Sequence, residues 1–568
     1  MKVILINPPI NDFFFTPQRA FPLGTLSLAT VLEHTGIKVK VLNCLEDYTK
    51  QTLLFPKQFN YLKRYYHPNR SAFCLFSHYY RFGKDDSQIK EFIQKEKPDI
   101  VGISANFTAY LDNAFDIAAL VKKIDSRICV VIGGRAASAD AEFVLAKPDI
   151  DFLIKGEAEY SFLKLSQAQD KGRIGRIPGL CYKRQDGKMR ISGENAFVKD
   201  LNALPVLNRR LIDYTKYYFQ GKMSTSLLAS RGCSQGCCFC AIREIFRFRK
   251  ADHVMQEIED AFSLGIRHFN FEDDTMNLNP EFRPLLDKII QRFSGTVKIS
   301  FMNGLLASGI DRIMREKLIQ AGLTHIDLAI ASSQERLRKK LYRQDPQAKV
   351  FTLAGFMAKK NIVPTIHYIV GFPGQEFKHA LRDIRLLAGK PAMLGPSIFY
   401  PVKESALFPE LAKMFPEPEN DHALFRSSAA CFDRDISRDR IFSLVYFARI
   451  INFIKELTSK GAIPDLKKIL NKQTRGYVIK EGQLRSKTKL GRDTLGMICL
   501  RMLLDESVIY GVEQAKEKEE FIYIFKKEEF VLGKDIQKAF RGLKVRGVSG
   551  FVKLPVLKPP ILPAGAAE

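Results

Sequence analysis

RGCSQGCCFC, residues 231–240, puts four cysteines into eight positions. The chain has ten cysteines, and the other six (Cys44, Cys74, Cys129, Cys181, Cys431 and Cys499) stand alone, as small buried residues do. A disulfide framework fits poorly. The N-terminus, MKVILINPPINDFFF, lacks the charged lead, apolar core and small-residue cleavage site of a secretory signal, and it reads as a first strand. A reducing, cytoplasmic setting is therefore expected. Zinc needs four ligands, yet there is no second C-x-x-C pair, and none of the nine histidines is spaced to complete a site. What remains is Cys233, Cys237 and Cys240 in the spacing C-x-x-x-C-x-x-C, with Phe239 before the last. Three thiolates on one loop can cap three irons of a 4Fe–4S cluster and leave the fourth iron open to a small molecule. Cys238 cannot easily join the same three-point cap and reads as a bystander.

This spacing resembles the motif of the radical S-adenosylmethionine (radical SAM) enzymes. In that family the open iron chelates SAM and passes it an electron, and a deoxyadenosyl radical results. The resemblance implies that Cys233, Cys237 and Cys240 are both the metal ligands and the catalytic residues.

The surrounding pattern agrees. TSLLASRG (225–232) is a short strand ending at the cysteines, so the loop falls at a strand's C-terminal end, where barrel enzymes place their chemistry. RHFNFEDD (267–274), KISFMNG (298–304), THIDLAIAS (324–332), IVPTIHYIVG (362–371) and AMLGPSIFYPV (392–402) follow as strands. Helical patterns separate them. In 309–322, for example, Ile310, Ile313, Met314, Leu318 and Ile319 recur at helical spacing. Strand–helix alternation means a parallel sheet with right-handed crossovers. Six strands over 223–405 are similar in number to the partial (β/α)6 barrel of radical SAM enzymes. The resemblance implies that Glu272, Asp273 and Asp274 bind the SAM amine, a carboxylate facing an ammonium. Asn303 could face the same ligand. GFPGQE (371–376) resembles the family's G-x-P-G-E turn, which places Gly371 and Gly374 near the adenine. One departure stands in the fourth strand, where Ala331 replaces the glutamate that relatives often carry.

Residues 1–165 read as a separate α/β unit. VILINPP (3–9), KVKVLN (38–43), DIVGIS (99–104), CVVIGG (129–134) and DFLIKGE (151–157) are strands, and PLGTLSLATVLEHTG (22–36) is a helix ended by Gly36. The alternation predicts a doubly wound sheet with Gly102, Gly133 and Gly134 at C-terminal strand ends, the ligand-binding face. No G-x-G-x-x-G follows the first strand, which argues against a dinucleotide. The order NPP, PLG, PDIVGIS, VIGG and KGEAE (155–159), ahead of the cysteine motif, resembles the Rossmann-like cobalamin-binding domain fused to one large radical SAM class. D-x-H-x-x-G is missing, so cobalamin is expected to be held without a histidine on cobalt, its corrin face toward the barrel. Residues 166–222 are expected to be a linker and 406–568 a mainly helical cap, with FIYIFKKEEFVLG (521–533) as a small hairpin. The aromatic and basic stretch 53–83 reads as a packed insertion helix or as a substrate- or membrane-facing surface.

The 568 residues suffice for several domains, and 46 % hydrophobic with 26 % charged residues excludes a disordered or fibrous chain. No apolar run reaches the length of a membrane-spanning helix. The net charge of +26 points to an acidic partner, an acidic substrate or a membrane surface. The resemblance implies a cobalamin-dependent radical SAM enzyme that binds a 4Fe–4S cluster, SAM and cobalamin and methylates an unactivated carbon. It would act on a small-molecule or lipid-like substrate and draw electrons from an external donor of flavodoxin or ferredoxin type. Nucleic acid is not expected as a partner, and the charge leaves room for peripheral membrane contact. The alternatives are an oxidative cyclase of the same class, a tRNA methylthiotransferase-like enzyme, and a non-catalytic cobalamin sensor. The methylthiotransferase reading lacks that family's second three-cysteine motif.

Overall fold

In the computed structural model KVILIN (Lys2–Asn7, β1) is buried through its four central residues, as an interior parallel strand must be. The structure describes residues 1–553 apart from 169–173, 185, 243, 344, 415–420, 460–465, 507, 518, 532–538, 540–542 and 547–550. The proline-rich tail beyond Lys553 lies outside the described residues. β1 is an inner strand of a sheet that also contains Lys38–Asn43 (β2), Ile100–Ser104 (β3), Cys129–Gly133 (β4) and Phe152–Ile154 (β5), all parallel, in the order β5-β4-β3-β1-β2. The strand order reverses between β1 and β3, the point at which doubly wound sheets open a crevice for ligands. Helix Leu23–His34 packs against β1 and β2, and Gly36 follows it with φ +80°, as expected for a helix stop.

The segment expected to be a linker contributes to both sheets. Leu180–Lys183 (β6) and Met189–Arg190 (β7) extend the first sheet antiparallel from β5, and Tyr218–Phe219 (β8) forms the edge of the second. Strands of two to four residues are too short to carry a readable alternation, so pairing with an existing edge decides them.

The second sheet runs β8, Lys222–Leu227 (β9), His268–Phe271 (β10), Lys298–Phe301 (β11), Leu323–Ala331 (β12), Thr365–Val370 (β13) and Met393–Ile398 (β14). The last six are parallel in sequence order, the expected open half-barrel. TIHYIV of β13 alternates, with Ile366, Tyr368 and Val370 buried and their neighbours half-buried. Helix Arg438–Ser459 packs against the exposed edge of this sheet. Its Asn452 side chain accepts from Leu394 N and donates to Leu394 O, both at 2.8 Å, which satisfies backbone that an open edge strand leaves unpaired.

A buried ionic brace ties this sheet to its first crossover helix. Glu257, on helix Ala251–Ser263, has no solvent exposure. It accepts from Arg209 Nη2 at 2.8 Å and Arg249 Nη1 at 2.6 Å. Arg209 also donates to Thr225 Oγ1 (2.8 Å) and Ser226 O (3.1 Å), and Arg249 to Leu228 O (2.8 Å). Both arginines thus hold the C-terminal end of β9.

The stretch 53–83 is a packed insertion, though its helix is a short 3-10 turn, Lys57–Leu62, beside an antiparallel sheet of Ile10–Asp12, Tyr79–Phe82 and Lys50–Leu53. Phe59, Leu62, Tyr65, Tyr66 and Phe73 are buried. Tyr65 lies on Phe442 with ring centroids 4.3 Å apart, and the Tyr61 and Tyr66 hydroxyls donate to Ala429 O and Ser428 O. The described elements of the C-terminal region are mainly helical, as expected, and a small sheet adds to them. Gln483–Ser486 (β15), Tyr510–Glu517 (β16) and Glu520–Lys527 (β17) form an antiparallel sheet. YGVEQAKE of β16 ends in charged residues and comes closely after helix Arg492–Glu506, so from sequence it merges with the helical pattern. Among the described residues no helix is long and apolar enough to cross a membrane.

Candidate active site

The cysteine loop leaves the end of β9 and is clipped at its base, where Ser230–Arg231 pairs antiparallel with Arg247–Phe248. Gly232 starts the loop with φ +85°, and a Cβ there would stand 2.6 Å from both Glu244 O and Ile245 O. Only glycine meets both demands without moving the clip. Gly232→Ala is therefore expected to lower the iron-to-protein ratio after reconstitution, with backbone strain of about 1–3 kcal/mol. Iron retention equal to that of the unmodified protein would show that the clip yields freely.

Inside the loop Cys240 N donates to Cys237 O at 3.1 Å, Gln235 N to Cys233 Sγ at 3.5 Å, and Ile242 N to Cys240 Sγ at 3.4 Å. Burial first, and then the nearby Cys237, Asp274 and Cys233, push the Cys240 thiol up, so the three thiols are neighbours. Among the described residues no three His, Cys, Asp or Glu side chains converge on one metal ion. A cluster does not ask for that, because each thiolate binds a different iron. Three thiol donors on one loop suit such a cluster. Cys238 is turned away into an apolar group with Ala331, Leu341 and Phe372, its Sγ 3.5 Å from Lys340 O.

Two connected cavities open beside the loop. The first, of ≈ 710 Å³, is floored by the strand ends Gly102–Ser104 and Gly133–Gly134 and roofed by Gly232, Ala241 and Glu244 of the cysteine loop. The second, of ≈ 860 Å³, shares Ser104, Asn106, Arg135, Glu272 and Asp274 with it and continues between the insertion and helix Arg438–Ser459. Burial and then the charge of Cys240 raise the Tyr400 phenol, which lines the second cavity and so marks its approach to the cysteines. No histidine is among the described residues lining the first cavity, and Gly133 leaves its floor open, since an added Cβ would meet only Ile154 O at 3.6 Å. The open, histidine-free floor over the sheet's switch point fits cobalamin held without a protein ligand on cobalt. Gly102 also lines this floor, but its smallness serves packing, because a Cβ would strike Leu5 Cδ2 at 2.6 Å and Phe162 at 2.9 Å. Gly134, at φ +117°, turns against Ala105 O.

The three acids after β10 separate. Glu272 and Asp274 line both cavities. Glu272 Oε2 pairs with Arg19 Nη1 at 2.9 Å, and Arg19 also donates to Asn303 Oδ1 (2.5 Å) and Met302 O (3.0 Å). Asn303 Nδ2 in turn donates to Glu272 O at 2.6 Å. Burial pushes the Glu272 carboxyl up against the pull of Arg19, and pushes Asp274 up to about 6 against Arg135. Asp273 does not meet the expectation. It is wholly buried, lines neither cavity, and accepts from Ala229 N (3.1 Å) and Ser230 Oγ (2.5 Å), so it braces the entry to the cysteine loop. Burial drives its carboxyl up to about 7. Gly371 and Gly374 also stand away from both cavities. Gly371 N donates to Gln375 Oε1 (2.8 Å), Gly374 N donates to Asp435 Oδ2 (2.7 Å), and Ile441 packs on Gly371.

Pairing across the two sheets could not be read from sequence. Glu157 and Glu159, in the KGEAE stretch, bolt the first unit to the loop clip. Arg247 grips Glu157 with two hydrogen bonds of 2.8 Å and also donates to Val198 O. Arg231 donates to Glu159 Oε1 at 2.7 Å, and Ser27 Oγ donates to the same atom at 2.9 Å. Arg135 pairs with Glu244 of the cysteine loop at 3.1 Å. The acidic repeat in KGEAE was the available signal. Its partners were hidden because they lie about 70–90 residues away in sequence.

Comparison with known proteins agrees with this layout. The B12 binding domain family matches residues 77–166, and the radical SAM superfamily matches residues 227–387. An uncharacterized methyltransferase of Pyrococcus horikoshii is 33 % identical over 200 residues, covering 34 % of this chain and 43 % of that protein. The anaerobic magnesium-protoporphyrin IX monomethyl ester cyclase of Rubrivivax gelatinosus is 26 % identical over 346 residues, covering 57 % and 60 %. The chain thus spans less than two thirds of the length of either relative. Among solved structures, the radical SAM methyltransferase TsrM of Kitasatospora setae, with tryptophan and a SAM analogue bound, superposes with a TM-score of 0.58 at 18 % identity. The match covers 73 % of this chain and 76 % of that one, and it speaks for the fold. With a B12 binding domain ahead of a radical SAM domain, and the three-cysteine loop inside the second, the chain has the domain pair of the radical SAM proteins that carry a cobalamin-binding domain.

Proposed function

We propose that this protein is a cobalamin-dependent radical SAM enzyme that methylates an unactivated carbon of a small-molecule or lipid-like substrate. The observation that carries this reading is the continuous cavity: one wall is the cysteine loop, and the other is the C-terminal edge of the B12-binding sheet. Once bound, the cluster, SAM and cobalamin supply reductive SAM cleavage and methyl carriage. The chain's own residues supply position and charge. Cys233, Cys237 and Cys240 hold three irons. Glu272 and Asp274 draw the SAM ammonium, and Asn303 lies beside them. Arg19 already neutralises Glu272, so the ammonium shares or displaces that guanidinium. Ser104, Asn106, Gly133 and Gly134, which line the first cavity, would hold the cobalamin. The walls hold the reacting groups in line and exclude water, which is where a radical reaction gains most from a protein. An external electron donor of flavodoxin or ferredoxin type completes the system, and the strongly basic chain suits an acidic one.

Anaerobically reconstituted protein, incubated with SAM, cobalamin and a strong reductant, is expected to yield both deoxyadenosine and S-adenosylhomocysteine, the second only when cobalamin is present, as read by mass spectrometry. Deoxyadenosine alone would favour the cyclase reading, which the magnesium-protoporphyrin relative supports. The absence of both products would remove the enzyme reading and leave a sensor.

A further inference from the structure

The second cavity is lined by aromatic and aliphatic side chains and by a few charges, most of which are paired. Arg19 faces Glu272 at 2.9 Å, Arg426 faces Asp12 at 3.2 Å, and Arg135 faces Glu244 at 3.1 Å. Arg449 is the exception among the arginines. It lines the cavity from helix Arg438–Ser459, at the end formed by Leu75, Phe76, Phe442 and Val445. Val445 and Phe442 stand four and seven residues before it, on the same helix face. Among the described residues its partners are Leu75 O, to which Nη1 donates at 3.1 Å, and the Phe76 ring at 5.7 Å, with no carboxylate. Burial is the largest influence on its charge, followed by Cys74, Tyr66, Arg492 and Tyr446. A guanidinium carries five donors in a fixed fork that matches a carboxylate or phosphate, and it is costly to enclose without a counter-charge. These walls also fall outside both family matches, which begin at residue 77 and end at residue 387. This end of the cavity is therefore where the chain's own substrate choice would be built.

We propose that the far end of the second cavity is a subsite for the single anionic terminus, carboxylate or phosphate, of an otherwise apolar substrate, and that Arg449 is the residue that recognises it. This rests on the reading of the cavity as the substrate site of the radical enzyme. The anion supplies the missing partner of Arg449, and the aromatic walls take the apolar body toward Glu272, Asp274 and Tyr400, next to the cysteine loop. An anchored anion sets which carbon along the chain reaches the reactive end, so Arg449 acts as a specificity residue for the position of reaction.

The test is equilibrium binding to the full chain. Cis-parinaric acid is titrated by fluorescence against its methyl ester, and hexadecyl phosphate and palmitate are compared as displacers. The acid is expected to bind at least about tenfold more tightly than the ester, the scale of one charge-assisted pair. Arg449→Met should remove that difference, and Arg449→Lys should keep part of it. Stronger displacement by palmitate would assign the terminus as a carboxylate, and by hexadecyl phosphate as a phosphate. Equal binding of acid and ester by the unmodified protein would overturn the proposal without any variant. So would an acid preference that survives Arg449→Met. Deoxyadenosine formation by the unmodified protein is read separately. Its absence alongside a clear acid preference would strike the radical reading and not the anion subsite.

Discussion

Cys233→Ala is expected to bring deoxyadenosine formation down by about a thousandfold or more, equal to about 4 kcal/mol of activation free energy. The broad iron–sulfur absorbance should vanish with it. Three thiolates cap three irons and leave the fourth open, so the loss of one thiolate leaves a second iron without its protein ligand. Cys238, the nearest other cysteine, points into the apolar group around Phe372 and Leu341. Cys237→Ala and Cys240→Ala should behave alike. Cys238→Ala should keep its iron and its product, at a packing cost on the order of 1 kcal/mol. The folded state should survive the loss of Cys233, because Cys233 is absent from the buried apolar clusters that hold both sheets. An unchanged thermal midpoint beside a lost absorbance is thus the expected pair of results. Iron content and deoxyadenosine persisting in Cys233→Ala would show that the loop binds something other than a cluster.

Glu257→Ala should lower stability by about 3–5 kcal/mol, since it leaves two enclosed guanidiniums with no counter-charge. Arg209 and Glu257 have no exposure, so solvent screens almost nothing. Replacing all three members of the brace with apolar residues of similar volume should return most of the loss. If Glu257→Ala alone proved neutral in denaturant unfolding, the brace would not be holding β9 as described. The pH dependence has a definite sign. The two guanidiniums hold the Glu257 carboxyl below its ordinary value of 4.5, although burial acts the other way. A lowered carboxylate pKa gives stability that is fully present above about pH 4.5 and is lost as the pH falls through the folded-state value. The difference in unfolding free energy between unmodified protein and Glu257→Ala should therefore be constant near neutrality and shrink below that pH.

The architecture was legible where the pattern is long and local. Five of the strands in the first sheet and all six of the parallel half-barrel could be read because buried parallel strands are short apolar runs between helices with a 3.6-residue period. Loop position was legible for the same reason, since a motif directly after a strand must lie at that strand's C-terminal end. Short elements were not. β6, β7 and β8 depend on an edge already present, and β16 shows its strand character only in register with β17. The roles of individual acids were out of reach as well. Glu272, Asp273 and Asp274 are consecutive, yet one braces the loop and two face the cavity, because a strand end turns and burial divides neighbours.

The sequence by itself determined the cysteine spacing, the strand–helix order and the two-unit plan, since each rests on residues close together in the chain. Only the tertiary structure decided that Glu157 and Glu159 bolt the units together, that Arg19 reaches Glu272 across 253 positions, and that Arg449 faces a cavity without an acid. Those facts concern charges that meet across long loops. Coulomb and hydrogen-bond energies depend on distance in space, and separation in sequence does not report it.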